Sequence, residues 1–442
     1  MPLSLLIDFG ATRIKSCILN QDTGVLSAVK SRPFPKPLAK EGFEVSVKEI
    51  NAVFSEICKS YHKKYKYQKI FICSQMHGFA LQDGNGAFVT DFISWQDERF
   101  LIKKDGVSSY DIFTKELGKD FKQITGMRLR AGFPAVKVLD LLRNNKYKTV
   151  KVLCLPEVLC LASGKSLNKV HCTMAQGSGA FDFKTKKPSD KILALFKKYS
   201  SAKVLFNTLT DNVEAGGYFA VGGQEIPIYT GVGDHQCAIL GAGNTRDTFS
   251  VNIGTGSQVS RIQGANVKPP KDLEVRYFFN DDVLFTITHI PAGRVLKEFM
   301  NFLGGKDALK NKNIWRAFTG QSLAAARQGS LSFDLGLFDD AYRATGKGGA
   351  IHAIRCGDLN LKNFMASLFI SFARQYIDAS AAFGSLPQVI VLSGGKLAKN
   401  NLIKNYLSAE TGKKVKICKT IDETLTGLKK LAMFESKNKS LY

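Results

Sequence analysis

The residues that most invite chemistry lie between positions 231 and 258. Asp234 stands after Gly231-Val232-Gly233 and before the polar pair His235-Gln236, a carboxylate set in a tight, glycine-framed bend. Shortly beyond it, an apolar alternation (Phe249, Val251, Ile253) breaks at Gly254-Thr255-Gly256 and resumes at Val259. That pattern reads as strand, glycine turn, strand, with backbone N–H groups at the turn available to an anion. The chain begins in the same way. Leu5-Leu6-Ile7-Asp8 runs into Gly10-Ala11-Thr12, and a second strand continues to Ile18. Asp8-Phe9-Gly10-Ala11-Thr12 superposes on Asn252-Ile253-Gly254-Thr255-Gly256 about 240 residues later. Two unrelated hairpins would also give this pattern. The repeat, with an acid closing the first strand, points instead to two related domains that each offer a turn to a shared phosphate.

Other polar residues leave strand ends. Ile70-Phe71-Ile72-Cys73 is an apolar strand that runs into Ser74-Gln75-Met76-His77-Gly78, where Gln75 and His77 are placed to line a cleft or to serve as satisfied structural groups. Trp95, one of two tryptophans, stands close to Asp97 and Arg99. A flat ring beside charged groups suits a polyhydroxylated ligand, the ring covering C–H faces; a core aromatic beside an ion pair is the plainer reading. Val389–Leu392 leads through Ser393-Gly394-Gly395-Lys396 to a helix near Asn400, a turn whose glycines let a nucleotide approach backbone. Gly164-Lys165-Ser166 resembles the end of a P-loop, but Leu159 stands where that motif requires glycine, so Gly164 reads as a helix stop.

The elements that must position these residues alternate strands and helices. Strands are expected over Leu3–Asp8, Ile14–Leu19 and Val25–Val29, and a helix over 47–63 from the spacing of Ile50, Val53, Ile57 and Tyr61. Residues 108–147 read as mostly helical, Thr173–Asp182 as a Gly/Ser-rich loop, and 362–383 as a long amphipathic helix. The last helix starts near Asp422, and the seam between domains falls at Gly241–Asp247, giving domains of 1–241 and 247–436.

A chain of 442 residues, 44% hydrophobic and 23% charged, is long enough for two or three domains with real cores. No apolar run reaches membrane-spanning length, and Asp8 interrupts the first one, so neither a membrane span nor a signal core is expected. The nine cysteines form no CxxC pair, which argues against a zinc site and for a reducing, cytoplasmic setting. A formal charge of +24 raises the question of nucleic acid. The lysines are spread in pairs such as Lys63-Lys64 and Lys186-Lys187, without a helix-turn-helix or aromatic RNA-binding signature. No nucleic-acid or membrane partner is expected.

Taken together and in order, Asp8-Phe9-Gly10-Ala11-Thr12 with Lys15, Gln75-Met76-His77-Gly78, Trp95-Gln96-Asp97-Glu98-Arg99, Gly231-Val232-Gly233-Asp234, Asn252-Ile253-Gly254-Thr255 and Ser393-Gly394-Gly395 resemble the FGGY family of carbohydrate kinases over essentially the whole chain. The resemblance implies an α/β, actin/hexokinase-like fold: two ribonuclease-H-like domains with ATP and sugar in a central cleft. It implies ATP-dependent phosphorylation of a sugar hydroxyl, with ATP and Mg²⁺ as cofactors and a small sugar as partner, and it permits a homodimer. Asp234 would be the general base and Asp8 would organise Mg²⁺. Gln75, Met76, His77, Trp95, Asp97, Asp234 and His235 would meet the sugar. Gly10, Thr12, Gly254 and Thr255 would face the phosphates, with Gly293, Gly394, Gly395 and Asn400 around the nucleotide. Met76-His77 is similar to the ketose-kinase branch, whose members act on sedoheptulose and xylulose, with sedoheptulose favoured. Two positions depart from the family pattern: Ala11, where a threonine is usual, and Ser393, where a glycine is usual. The rival from another class is a non-catalytic, actin-like nucleotide-binding protein, which would have no use for Asp234 or for Trp95-Gln96-Asp97.

Overall fold

The computed structural model describes residues 2–39, 42–162, 164–305, 312–338, 341–343 and 348–437. The chain divides into two units: 1–241 with 276–283 and the C-terminal segment from Ile421, and 242–275 with 284–420.

In the first unit, β1 (Leu3–Phe9) and β2 (Arg13–Asn20) form the expected hairpin around Gly10-Ala11-Thr12, and β3 (Leu26–Pro33) extends it. Helix α1 (Val47–Tyr65) follows from its own sequence. Ser46 caps it by accepting the Glu49 N–H, Ile50, Phe54, Ile57 and Tyr61 form one buried face, and Lys66 ends it in the left-handed region. That face packs on Leu5, Ile7 and Phe9 of β1. Burial of each such side chain stabilises the unit by about 1.5–3 kcal/mol.

Alternation along β1 therefore turns Asp8 away from this core, onto the other face of the sheet. Strand β4 (Lys69–Ser74) lies parallel to β1, with Asp8 opposite Cys73. Farther along, α2 (Pro134–Asn144) packs in a second core with Phe113, Phe121 and Phe133.

Residues expected to form a Gly/Ser-rich loop after Thr173 begin instead as a short helix, α3 (Cys172–Gly177). His171 accepts the Thr173 N–H there, and Met174 and Ala175 are buried in the second core. Burial and a cap outweigh the weak propensity of the stretch. Strands β5 (Ala215–Val221) and β6 (Gln224–Tyr229) continue the sheet beyond β4. The two-residue β7 (Val232–Gly233) also pairs with β4, in parallel, Gly233 opposite Ser74. Helix α4 (Asp234–Gly241) starts at once.

The second unit repeats the opening plan. Strands β8 (Thr248–Ile253) and β9 (Ser257–Gly264) form a hairpin around Gly254-Thr255-Gly256, and β10 (Asp282–Ile290) flanks β9. After α5 (Gly293–Gly304) and the long α6 (Leu361–Ala381), β11 (Val389–Gly394) lies parallel to β8 as β4 does to β1. Helix α7 (Asn401–Thr411) follows, and β12 (Lys414–Ile417) completes a six-stranded sheet in which the strand Glu274–Tyr277 lies outside β10 and the order continues β10-β9-β8-β11-β12.

The chain then closes with α8 (Glu423–Lys437), which belongs to the first unit. Residues 276–283 and 421–437 thus lie within the sequence range assigned above to the second domain, yet pack in the first unit. Their contacts give the reason. Tyr277 N donates to Gln176 Oε1 at 2.8 Å, and Gln236 Nε2 donates to Tyr277 O at 3.3 Å. Helix α8 crosses α4 where Gly427 faces the Cys237 carbonyl and Gly241 faces the Glu423 carbonyl, so closely that a Cβ at either glycine would overlap backbone. Among the described residues no helix is long and apolar enough to cross a membrane.

Candidate active site

Strands β1, β4 and β7 run parallel and end on one edge of the first unit, so the residues just past them collect there. Asp8, Gln75-Met76-His77 and Asp234 are those residues. β1 and β7 flank β4, with Asp8 and Val232 both opposite Cys73, so Asp234 follows two residues beyond the level of Asp8.

Asp8 is buried. Its Oδ2 accepts from Thr424 Oγ1 at 2.6 Å and from Lys15 Nζ at 3.2 Å, while among the described residues Oδ1 meets the weak donor Cys73 Sγ, at 3.5 Å. Burial raises its pKa above the usual carboxylate value, and the Lys15 ammonium opposes that rise. No group of three or more His, Cys, Asp or Glu side chains able to cage a metal occurs among the described residues. One presented carboxylate oxygen and no cage is a donor set that fits Mg²⁺, which keeps several waters and takes phosphate oxygens as ligands.

Asp234 opens α4. The Gly233 N–H donates to Thr173 Oγ1 at 3.0 Å, and Thr173 in turn lies 2.8 Å from His171 Nδ1. A Cβ at Gly233 would come within 2.8 Å of Met76 Sδ and 2.6 Å of Gln236 Oε1, so any side chain there would displace both of these site residues. Asp234 Oδ1 accepts the N–H of His235 at 2.8 Å. Its carboxyl is pushed up to about 7, first by its dry surroundings, then by the negative charge of Asp8, with Arg276 pulling the other way. A carboxylate poised near neutral pH is what general-base chemistry asks for.

Gln75 is buried, yet neither its amide nitrogen nor its amide oxygen has a hydrogen-bond partner among the described residues. Such a group costs about 1–3 kcal/mol unless a ligand or water satisfies it. His77 sits in the left-handed region (φ 64°), its ring edge-on to Phe133. Its Nδ1 lies 2.7 Å from the Gly177 carbonyl and donates to it, which puts the lone pair of the neutral ring on Nε2. Gly78 follows because a Cβ there would run into the Phe92 ring. His235 is half-buried beside Asp234.

Trp95 is 44% exposed and lies on a segment held from both sides. The Ser94 N–H donates to Phe43 O at 2.9 Å, and its carbonyl accepts from Lys137 Nζ at 2.6 Å. Asp97 is buried, and both of its oxygens are engaged by Arg99 (2.6–3.0 Å to side-chain nitrogens) and by the Phe43 N–H at 3.1 Å. Arg99 holds its carboxyl below the usual value, although burial works against this. In this arrangement Asp97 fixes the Trp95 segment. Lys137 is fully buried on α2, and burial pushes it down to about 7. In the sequence, Lys137 falls within the mostly helical stretch 108–147 with no role of its own. Its one signal was a lysine inside Ala135-Val136-Lys137-Val138-Leu139.

In the second unit the glycine residues converge. Gly254 N donates to Gly256 O at 3.0 Å, the Arg294 N–H to Thr255 O at 2.9 Å, and the Gly395 N–H to Ile253 O at 2.8 Å. Gly293 opens α5 with its N–H 3.2 Å from Gly254 O, leaving no room for a Cβ. Gly394 adopts φ 111°, a conformation open to glycine. Ser393 Oγ accepts from Asn252 Nδ2 at 3.0 Å, so the hydroxyl at this position braces the turn. Asn400 caps α7 through the Leu402 N–H at 2.7 Å and borders a polar pocket of about 530 Å³ with Thr319, Gln321, Lys399 and Asn405. At the first hairpin turn, a Cβ on Gly10 would stand 3.0 Å from Arg13 O, and Thr12 is exposed.

The N-terminal domain of the FGGY family of carbohydrate kinases matches residues 3–241. No curated protein sequence matches the chain. Many solved structures share its fold, among them three kinases. A gluconate kinase from Lactobacillus acidophilus is 18% identical, covers 99% of this chain and 91% of its own, and gives a TM-score of 0.80. A ligand-bound xylulose kinase from the same organism is 16% identical, covers 100% and 91%, and gives 0.79. A Plasmodium falciparum glycerol kinase with ADP is 19% identical, covers 100% and 91%, and gives 0.75. With a family match over more than half its length and this mixed α/β, actin-like two-domain fold throughout, the chain belongs to the FGGY carbohydrate kinases and is a sugar phosphotransferase.

Proposed function

We propose that the chain transfers the γ-phosphoryl group of ATP to the terminal primary hydroxyl of a ketose, with sedoheptulose as substrate and sedoheptulose 7-phosphate as product. The observation that carries this reading is Asp234, raised to about 7, at the same strand edge as the unpartnered Gln75 amide. Phosphoryl transfer needs little covalent help from a protein; it needs placement, charge compensation and a base for the acceptor. Asp234 takes the proton of the sugar hydroxyl late in transfer, a contribution of about 10²–10⁴ in rate. Gln75, Met76, His77, Trp95, Asp97 and His235 form the sugar's surroundings. Asp97 acts there by holding the Trp95 segment. Gly10, Thr12, Gly254 and Thr255 offer donors to phosphate, and Gly293, Gly394, Gly395 and Asn400 border the nucleotide. Mg²⁺, when bound with the nucleotide, would offset charge on the phosphate oxygens, and Asp8 is the residue to hold it.

A second reading, D-xylulose to xylulose 5-phosphate, draws support from the fold shared with xylulose kinases, including one with bound ligand. Coupled ADP release measured with sedoheptulose, D-xylulose, D-ribulose, L-ribulose, gluconate and glycerol separates the two. The reading requires kcat/KM highest for sedoheptulose, and a preference for glycerol or gluconate would overturn the ketose assignment.

A further inference from the structure

The Asp8 carboxylate is held by a segment that sequence order puts at the far end of the chain. Thr424, the second residue of α8, places Oγ1 2.6 Å from Asp8 Oδ2 and 2.8 Å from Asp422 Oδ1. A hydroxyl has one proton, and the shorter contact together with the state of Asp422 decides where it goes. Asp422 Oδ1 already accepts the Leu425 N–H at 3.0 Å, and its Oδ2 takes the Lys15 ammonium at 2.9 Å. Asp8 Oδ2 therefore receives the Thr424 proton as well as Lys15 from a second side. With that oxygen fixed, the carboxylate cannot turn, and Oδ1 is the one presented.

Thr424 is anchored by close helix packing. Helix α8 lies against α4 at the Gly427 and Gly241 crossing, and Cys237 Sγ of α4 contacts the Thr424 carbonyl oxygen at 3.2 Å. One helix thus braces the helix that begins with Asp234 and also holds Asp8 by its own side chain.

We propose that Thr424, anchored by Asp422, is a positioning residue for Asp8: it selects the carboxylate oxygen offered to the divalent cation that accompanies the nucleotide. This rests on the kinase reading above for the identity of the cation's partner, but the calorimetric arm of its test does not depend on any sugar being phosphorylated.

The test uses the full chain with Thr424→Val, which keeps the shape and removes the hydroxyl, and Thr424→Ser, which restores it. Mn²⁺ is titrated calorimetrically in the presence of ADP, and the apparent KM for Mg²⁺ is compared with kcat. Loss of a hydrogen bond to a charged group predicts that T424V weakens Mn²⁺ binding about tenfold or more, raises the Mg²⁺ KM in step, and that T424S returns both to within about twofold. Unchanged Mn²⁺ affinity in T424V, or equal loss in T424V and T424S, overturns the proposal. Should T424V fail to fold, Asp422→Asn must shift the same titration at least about threefold, and no shift there overturns it equally. A chain that phosphorylates no sugar while T424V still loses Mn²⁺ affinity would refute the functional reading and leave this one standing.

Discussion

Replacing Asp234 with Asn tests the site through stability as well as rate. The rise of the Asp234 carboxyl from the ordinary 3.8 to about 7 means the folded protein holds that proton after the unfolded chain has released it. Between about pH 4 and pH 7 the native state binds more protons than the unfolded one, so this group's contribution to stability falls as pH rises and levels off above 7. At 1.36 kcal/mol per pH unit, the cost of ionising Asp234 is about 1.6 kcal/mol at pH 5 and about 4 kcal/mol at pH 8. The neutral amide of Asp234→Asn escapes it. The variant should therefore melt above wild type at pH 8, by up to about 8 °C at roughly 2 °C per kcal/mol for a unit of this size. The gap should narrow by more than half at pH 5. Turnover should drop by about 10²–10⁴ with ATP binding nearly intact, and wild-type kcat/KM should rise with pH to an inflection near 7. Thermal melts at the two pH values and a pH–rate profile give all three readouts. A variant less stable than wild type at pH 8, a gap independent of pH, or near-wild-type turnover would refute the assignment of Asp234.

Gln75→Met removes an amide that none of the described residues satisfies, so the melting temperature should hold or rise slightly while the sugar KM increases and the ATP KM does not. Steady-state kinetics against each substrate check this. Lys137→Met removes the 2.6 Å bond to the Ser94 carbonyl, which keeps only the Asp97 N–H at 3.2 Å, at a cost of about 0.5–1.5 kcal/mol, and should raise the sugar KM up to roughly tenfold through the Trp95 segment while the ATP KM stays put. Gly427→Ala forces a Cβ into the Cys237 carbonyl and separates α8 from α4; chemical denaturation should show a loss of about 1–3 kcal/mol or more.

Much of the site was legible because its chemistry is local. Two glycine-threonine turns after apolar strands, an acid closing the first strand and an acid following Gly233 are short patterns whose backbone demands show in the residues themselves. Both hairpins and their parallel partners β4 and β11 stand in the same relation in each unit, as the repeat implied. What stayed hidden depends on distance or direction. Thr424 and Asp8 meet across 416 positions of sequence, and no local signal marks either as the other's partner. Asp97 could be seen beside Arg99, but not that both carboxylate oxygens turn inward to the protein. Lys137 was masked by the helix that carries it, since an amphipathic pattern tolerates one lysine whether exposed or buried. The returns at 276–283 and 421–437 follow from Tyr277 bonding Gln176 and from two glycines letting helices touch, neither of which composition along the chain reveals.

The central claim is that Asp234 delivers a sugar hydroxyl, rather than water, to the phosphoryl group of ATP. Phosphorus NMR of the reaction mixture with sedoheptulose tests it most directly. Wild type should form a new phosphate monoester on the terminal carbon, and Asp234→Asn should not. Inorganic phosphate as the sole product, released equally with and without the sugar, would contradict it.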